Sequence, residues 1–170
     1  MPLANKVATV AHAYQHHHIR DDGSHFVSKK GYGDYDMKNM KRIHEFLDQA
    51  GVFFLATEDG RQARVRPLGA HIEMDGKEYF TVGDFKAVYR QMTENPLVEI
   101  VAFTPKDRKW LRYTGRAVFE ENKAVQEKVF EILPHLRKAY SEESGHKMMI
   151  FTLKDATARI IDMAGNEEMI

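Results

Sequence analysis

The sequence predicts a mainly β protein, a small antiparallel barrel of about seven strands with three to four flanking helices. Short β-rich runs follow one another through tight turns, and Asp59-Gly60 and Asp75-Gly76 are strong two-residue hairpin signals. Hairpins impose antiparallel pairing. The helical stretches are too few to cover both faces of a doubly wound parallel sheet, so closure into a barrel is the more natural outcome.

Residues 1–36 read as an arm or extension, and residues 37–170 as the domain. Met1 to His18 is mildly helical in propensity, and Arg20 to Asp36 is rich in Gly, Asp, Ser and Lys, which reads as loop. The arm carries His12, His16, His17, His18 and His25, five of the nine histidines. His12 and His16 stand four apart and would share a helix face, a spacing that can hold a metal ion. No cysteine and few well-spaced carboxylates accompany them, so they read as polar residues of an accessory arm, and no metal is expected.

The domain begins near Asp36, a plausible N-cap. Met40, Ile43, Phe46, Leu47 and Ala50 recur at helical spacing, and Gly51 is a natural stop. Val52 to Thr57 is the first strand. Arg64 to Glu73 is its return, interrupted at Pro67, which implies an edge, a bulge or a kink. The Asp75-Gly76 turn leads into Glu78 to Val82. A helix follows, capped by Asp84, with Phe85, Val88 and Met92 on one face, and Asn95-Pro96 ends it. Leu97 to Thr104 and Trp110 to Glu120 are strands. Asn122 starts a helix through Leu133 that Pro134 closes, and His135 to Ser141 adds a short one. Met148 to Leu153 and Ala156 to Met163 are the last two strands.

Lys plus Arg equals Asp plus Glu at 25 each, so the formal net charge is zero. Nucleic-acid and acidic-membrane binders need a surplus of positive charge, and neither class is expected here. With no cysteine, disulfides and thiolate chemistry are excluded. No apolar run is long enough to span a bilayer, and Met1 to Tyr14 lacks the hydrophobic block of a signal peptide, so a cytoplasmic protein is expected.

No catalytic acid, base or nucleophile is marked. His44, His71, His135 and His146 are scattered, and neither a G-x-S-x-G elbow nor a phosphate-cradling P-loop occurs. What clusters is a set suited to a phosphate. Arg64 and Arg66 alternate and leave one face of a strand. A hairpin later come Tyr79-Phe80-Thr81-Val82, then Lys86 in the first turn of a helix. Guanidiniums, a hydroxyl, an ammonium and the open N–H groups of a helix start are what a phosphomonoester requires. The alternative is a solvated basic strand face with Lys86 exposed. A second feature is Trp110-Leu111-Arg112, where a planar ring and a fixed cation share a face and suit a flat electron-accepting heterocycle. Equally, Trp110 can plug a core or an interface.

Gly51-Val52-Phe53-Phe54-Leu55-Ala56-Thr57, Asp59-Gly60, Arg64-Val65-Arg66-Pro67-Leu68-Gly69, Asp75-Gly76-Lys77, Tyr79-Phe80-Thr81, Lys86, Asn95-Pro96 and Trp110-Leu111-Arg112 occur in that order. From about Asp36 onward the chain thereby resembles the pyridoxamine 5′-phosphate oxidase-like FMN-binding split barrels, and within them the nitroimidazole-resistance-type flavoproteins. The resemblance implies a homodimer with FMN at the subunit interface. It places Arg64, Val65, Arg66, Pro67 and Leu68 along the cofactor. Thr81, Val82 and Lys86 fall around its phosphate, Tyr79 is among the cofactor-binding residues, and Trp110 and Arg112 approach from the partner chain or the interface edge. It implies an FMN-dependent oxidoreductase reducing small electrophilic compounds such as nitroaromatics or quinones, with Arg112 placed to stabilise negative charge on the reduced ring. A non-enzymatic flavin or haem binder, or a redox sensor, is the alternative. True pyridoxamine phosphate oxidases end in an Arg-x-His pair, and they carry a Ser-Arg-Lys phosphate run. This sequence ends Asn166-Glu167-Glu168-Met169-Ile170 and has Asp84-Phe85-Lys86 in place of the run, so vitamin B6 oxidation is not expected.

Overall fold

The computed structural model describes residues 29–170, with side chains described from residue 37; the arm's histidines lie outside the described residues. Tyr35–Ile170 forms one compact unit. Its first helix, α1 (Lys29–Ala50), buries the face that the periodicity marks: Ile43, Phe46 and Leu47 enter the core, with Met40 and Ala50 packed against it. Gly51, at φ 70°, ends the helix and donates its N–H to the Leu47 carbonyl at 2.9 Å. Asp36 lies inside α1 and does not cap it. The apolar pattern starts only near Met40, so the earlier turns left no periodic signal.

Eight strands form one antiparallel sheet: β1 (Phe53–Asp59), β2 (Gln62–Leu68), β3 (His71–Met74), β4 (Lys77–Gly83), β5 (Leu97–Thr104), β6 (Lys109–Glu120), β7 (Met148–Asp162) and β8 (Glu167–Met169). Their order is β2-β1-β5-β6-β7-β4-β3, with β8 paired to β7. The edge strands β2 and β3 are consecutive in the chain, with only Gly69 and Ala70 between them. The sheet must therefore curl until its edges meet, although no ladder closes that seam: a split barrel. Pro67 sits inside β2, on an edge where a missing N–H costs no ladder bond, and the strand breaks after it at Gly69.

The last two expected strands are one. β7 continues through Asp155 at φ 50°, opposite a register shift between Thr114 and Arg116. Gly115 stands in that shift. A Cβ there would lie 3.0 Å from the Lys154 carbonyl oxygen and 3.1 Å from the Cβ atoms of Leu153 and Ala156. The bulge bends β6 and β7 together and lets the sheet wrap.

α2 (Ala87–Glu94) packs on both β1 and β4, the strands beside the two edges. It buries Val88, Gln91 and Met92. Lys86, not Asp84, holds the N-cap position and makes no side-chain cap. Asp84 instead ties its loop to the start of β7, accepting the Lys147 N–H at 3.0 Å. α3 (Lys123–Ile132), capped by Asn122 as its sequence predicts, covers the outside of β3, β4 and β7 through Val125, Val129 and Phe130; α4 (Leu136–Ala139) follows it. No helix among the described residues is long and apolar enough to cross a membrane.

Candidate functional site

Arg66 is the most constrained of the expected site residues. It stands opposite Leu55 in the β1–β2 ladder and points over β1. Its Nη1 donates to the Leu55 carbonyl at 2.9 Å and to Thr57 Oγ1 at 2.7 Å, and Nη2 donates to Gln91 Oε1 at 2.7 Å. Thr57 also donates to Gln91 Oε1, at 2.7 Å. Burial, and then the neighbouring Arg64, lower the Arg66 pKa. Arg64, on the same face, is exposed and 3.4 Å from Asp59, which Arg90 of α2 also holds at 2.7 Å. Leu68 completes this face and packs against the core.

Asp75-Gly76 joins β3 to β4, so β2 and β4 are not hairpin neighbours as the charge pattern alone implies; among the described residues β2 pairs only with β1. The link between the two halves is α2. Arg66 and Arg64 reach it through Gln91 and Asp59, and the β4 segment runs directly into its start. On β4, Val82 is buried in the barrel core, so only its backbone can meet a ligand. Tyr79 points the other way into the cluster under α3, where burial and then Glu120 raise its phenol pKa. Thr81 shares that outward face and is half-buried. Lys86 is exposed, its Nζ 6.0 Å from the Phe85 ring.

The remaining expected residues occupy the outer surface of the sheet. Arg112 is clamped by Glu99, Nε to Oε1 at 2.6 Å and Nη2 to Oε2 at 2.7 Å, so its charge is already compensated. The ladder sets Phe54 beside Pro67 and Val101, Val101 beside Arg112, and Phe103 beside the half-buried Trp110. Val65 is 63% exposed, and Phe54 and Phe103 are each 47% exposed. Val65, Pro67, Trp110 and Arg112 thus belong to an apolar outer face, while Arg64, Arg66 and Lys86 belong to the α2 junction.

A cavity of about 780 Å³ is lined by none of these positions. It lies between the end of β6, the start of β7 and the α4–β7 loop, with Tyr89, Phe119, Tyr140, Lys147 and Met149 in its wall. A site shared between two chains would be an open surface in either chain alone.

A second cluster is not visible as a sequence motif. His44 and His71, far apart in the chain, meet at Glu78, whose side chain is wholly buried. His71 Nδ1 is 2.6 Å and His44 Nδ1 3.1 Å from its carboxylate. The hydrogen bond to Glu78 is the main cause raising the His44 pKa, and burial opposes it. Hairpin register places His71 diagonally to Glu78 on one face, and that much follows from the Asp75-Gly76 turn. The approach of α1 does not.

The family model of pyridoxamine 5′-phosphate oxidase matches residues 40–160. A NimC/NimA family protein from Clostridium acetobutylicum is 34% identical, covering 83% of this chain and 97% of that one, with a TM-score of 0.72. Two more distant structures share the fold. One is a FAD-binding protein from Mesorhizobium loti: 17% identity, 72% of this chain, 94% of that one, TM-score 0.51. The other is a haem-binding protein from Mycobacterium smegmatis: 14% identity, 85% of this chain, 59% of that one, TM-score 0.59. No curated protein matches the chain. An antiparallel split barrel with this strand order, matched along most of its length, belongs to the pyridoxamine 5′-phosphate oxidase family.

Proposed function

We propose that the protein is a homodimeric FMN-dependent oxidoreductase that reduces small electrophilic compounds such as nitroaromatics or quinones. The observation that carries this reading is the α2 junction. The helix starts without a side-chain cap, Lys86 stands at its N-cap position, and Arg66 is bolted to the same helix through Gln91. A helix start with a lysine at its N-cap, and an arginine anchored one turn further on, is suited to a phosphomonoester dianion. Thr81 and Lys86 would hold the phosphate, with the Val82 backbone beside them. Arg66 uses three of its N–H donors within the fold and has Nε–H and one Nη2–H left to offer.

Bound FMN supplies the electron-transfer chemistry, and this chain's residues supply position and solvent exclusion. Arg112, held flat by Glu99, is a directed donor more than a free charge. The apolar face of Val65, Phe54, Phe103 and Trp110 is suited to a second copy of the chain, whose docking would close a dry slot over Pro67 and Leu68. The family membership and the NimC/NimA relative support the flavin reading.

The test is the visible spectrum of the purified protein, followed by FMN titration and reduction by a nicotinamide donor. A flavin spectrum and turnover with a nitroaromatic compound are expected. A colourless protein that ignores added FMN refutes the reading, and a Soret band identifies the haem-binding alternative instead.

A further inference from the structure

We propose that His44, His71 and Glu78 form a site for a divalent transition-metal ion of the Zn²⁺, Co²⁺ or Fe²⁺ class, separate from the flavin junction. The nitrogen and oxygen donors lie within 4.8 Å of one another. Two imidazoles and one carboxylate are a borderline donor set that suits these ions. A four-coordinate ion with bonds of about 2.0–2.1 Å keeps its ligands roughly 3.4 Å apart. The present spacings of 2.6 and 3.1 Å need only a small opening to admit one.

Hydrogen positions distinguish the ion-free cluster from an ion-bound one. His44 Nε2 is 3.4 Å and His71 Nε2 3.3 Å from the carboxylate of Asp48. The Nδ1 contacts to Glu78 are the shorter ones, so in the ion-free cluster the Glu78 carboxylate accepts from Nδ1–H of each ring. An ion between the two Nδ1 atoms and Glu78 takes the place of those hydrogens, and each ring then carries its hydrogen on Nε2, facing Asp48. Glu78 is wholly buried and has no Lys or Arg hydrogen-bond partner among the described residues. Its charge is therefore met either by the two Nδ1 hydrogens or by a cation in their place. A divalent ion neutralises the carboxylate while leaving both imidazoles neutral, and Asp48 then has the outer-shell role that orients metal-bound histidines.

Access is provided on the α1 side. A surface cleft of about 350 Å³ reaches His44 and is bordered by Met37, Lys41, Glu45 and Glu73. It leaves room for water or a further carboxylate at an open coordination position. No disulfide or thiolate is involved, because the chain has no cysteine.

The arm's histidines are a competing sink, so the test uses the full chain with His12, His16, His17, His18 and His25 changed to Asn. Co²⁺ is titrated and followed by its visible d–d absorption. One Co²⁺ per chain is expected, with the band lost in His44→Gln. That substitution lies on a partly exposed helix position and should leave the circular dichroism unchanged. Asp48→Ala should weaken Co²⁺ by about 10–100-fold without abolishing the band. Absence of Co²⁺ uptake, or uptake that His44→Gln leaves unaltered, overturns the site and identifies the cluster as a proton-bridged network. Neither result depends on whether FMN binds.

Discussion

Arg66 on β2 and Gln91 on α2 are joined across the end of β1 by a 2.7 Å hydrogen bond, and the same Gln91 oxygen accepts the Thr57 hydroxyl. The three side chains tie an edge strand, its neighbour and the helix into one unit. Gln91 and Thr57 are buried, so removing the shared acceptor strands two donors rather than one. Gln91→Leu is expected to destabilise the fold by about 2–3 kcal/mol, read as a lower urea midpoint at unchanged slope. Arg66→Met combined with Gln91→Leu should cost less than the sum of the single changes.

Lys86 makes no salt bridge or side-chain hydrogen bond among the described residues and contributes little to folding. If it holds the phosphate of FMN, Lys86→Ala removes a charge-assisted contact worth about 1.5–3 kcal/mol. FMN affinity, measured by fluorescence titration, should fall by roughly tenfold or more, with the urea midpoint of the flavin-free protein unchanged. Equal affinity in both proteins removes Lys86 from the site.

Much of the barrel is legible in the residues, and the reasons differ by element. The Asp75-Gly76 turn fixes the register of one hairpin. The other turns on Gly60-Arg61, one residue later than the Asp59-Gly60 signal, because Asp59 stays in the ladder opposite Gln62. The face of Ile43, Phe46 and Leu47 fixes how α1 packs. The merging of the last two strands was hidden, because Lys154-Asp155 has the composition of a turn and stays in the ladder only through the bulge opposite Gly115. The site was legible as a list of residue types but not as a place. Alternation put Arg64 and Arg66 on one face, yet which strand faced them depends on sheet order, and sheet order is long-range. Glu99 beside Arg112 and Glu78 between two histidines are contacts of the same long-range kind.

Gly115 supplies a local test of the bend. Alanine there must displace the Lys154 carbonyl or the β7 backbone, since the contacts would fall at 3.0–3.1 Å. Gly115→Ala should destabilise by about 1–3 kcal/mol, measured by thermal or urea unfolding. A neutral effect would mean that the bulge relaxes freely and does not set the curvature.

The outer face tests the assembly. Phe54 and Val65 are exposed and adjoin Pro67, so an Asp at either position adds charge where a partner is expected to dock. Phe54→Asp should shift the protein from dimer to monomer in sedimentation velocity and lose FMN, while retaining its far-UV circular dichroism. A dimer that persists with FMN bound places the interface elsewhere.

Asp59 connects pH to the same junction. Arg90, and to a lesser degree Arg64, hold its carboxyl below the ordinary carboxylate value. A carboxyl with a depressed folded-state pKa stabilises the fold above its unfolded value of about 3.9 and loses that contribution as pH falls through the folded value. Arg90→Ala should therefore raise the Asp59 pKa seen by NMR and shift the loss of the pairing to higher pH. The carboxylate lies at the surface between two exposed arginines, its side chain 25% exposed, so the change belongs in the titration curve more than in the unfolding midpoint. Asp59→Asn separates the two uses of Arg64, because it releases the guanidinium without removing it. Tighter FMN binding in Asp59→Asn, with no gain when Arg64→Ala is added, assigns Arg64 to the phosphate. No change assigns it to the hairpin end alone.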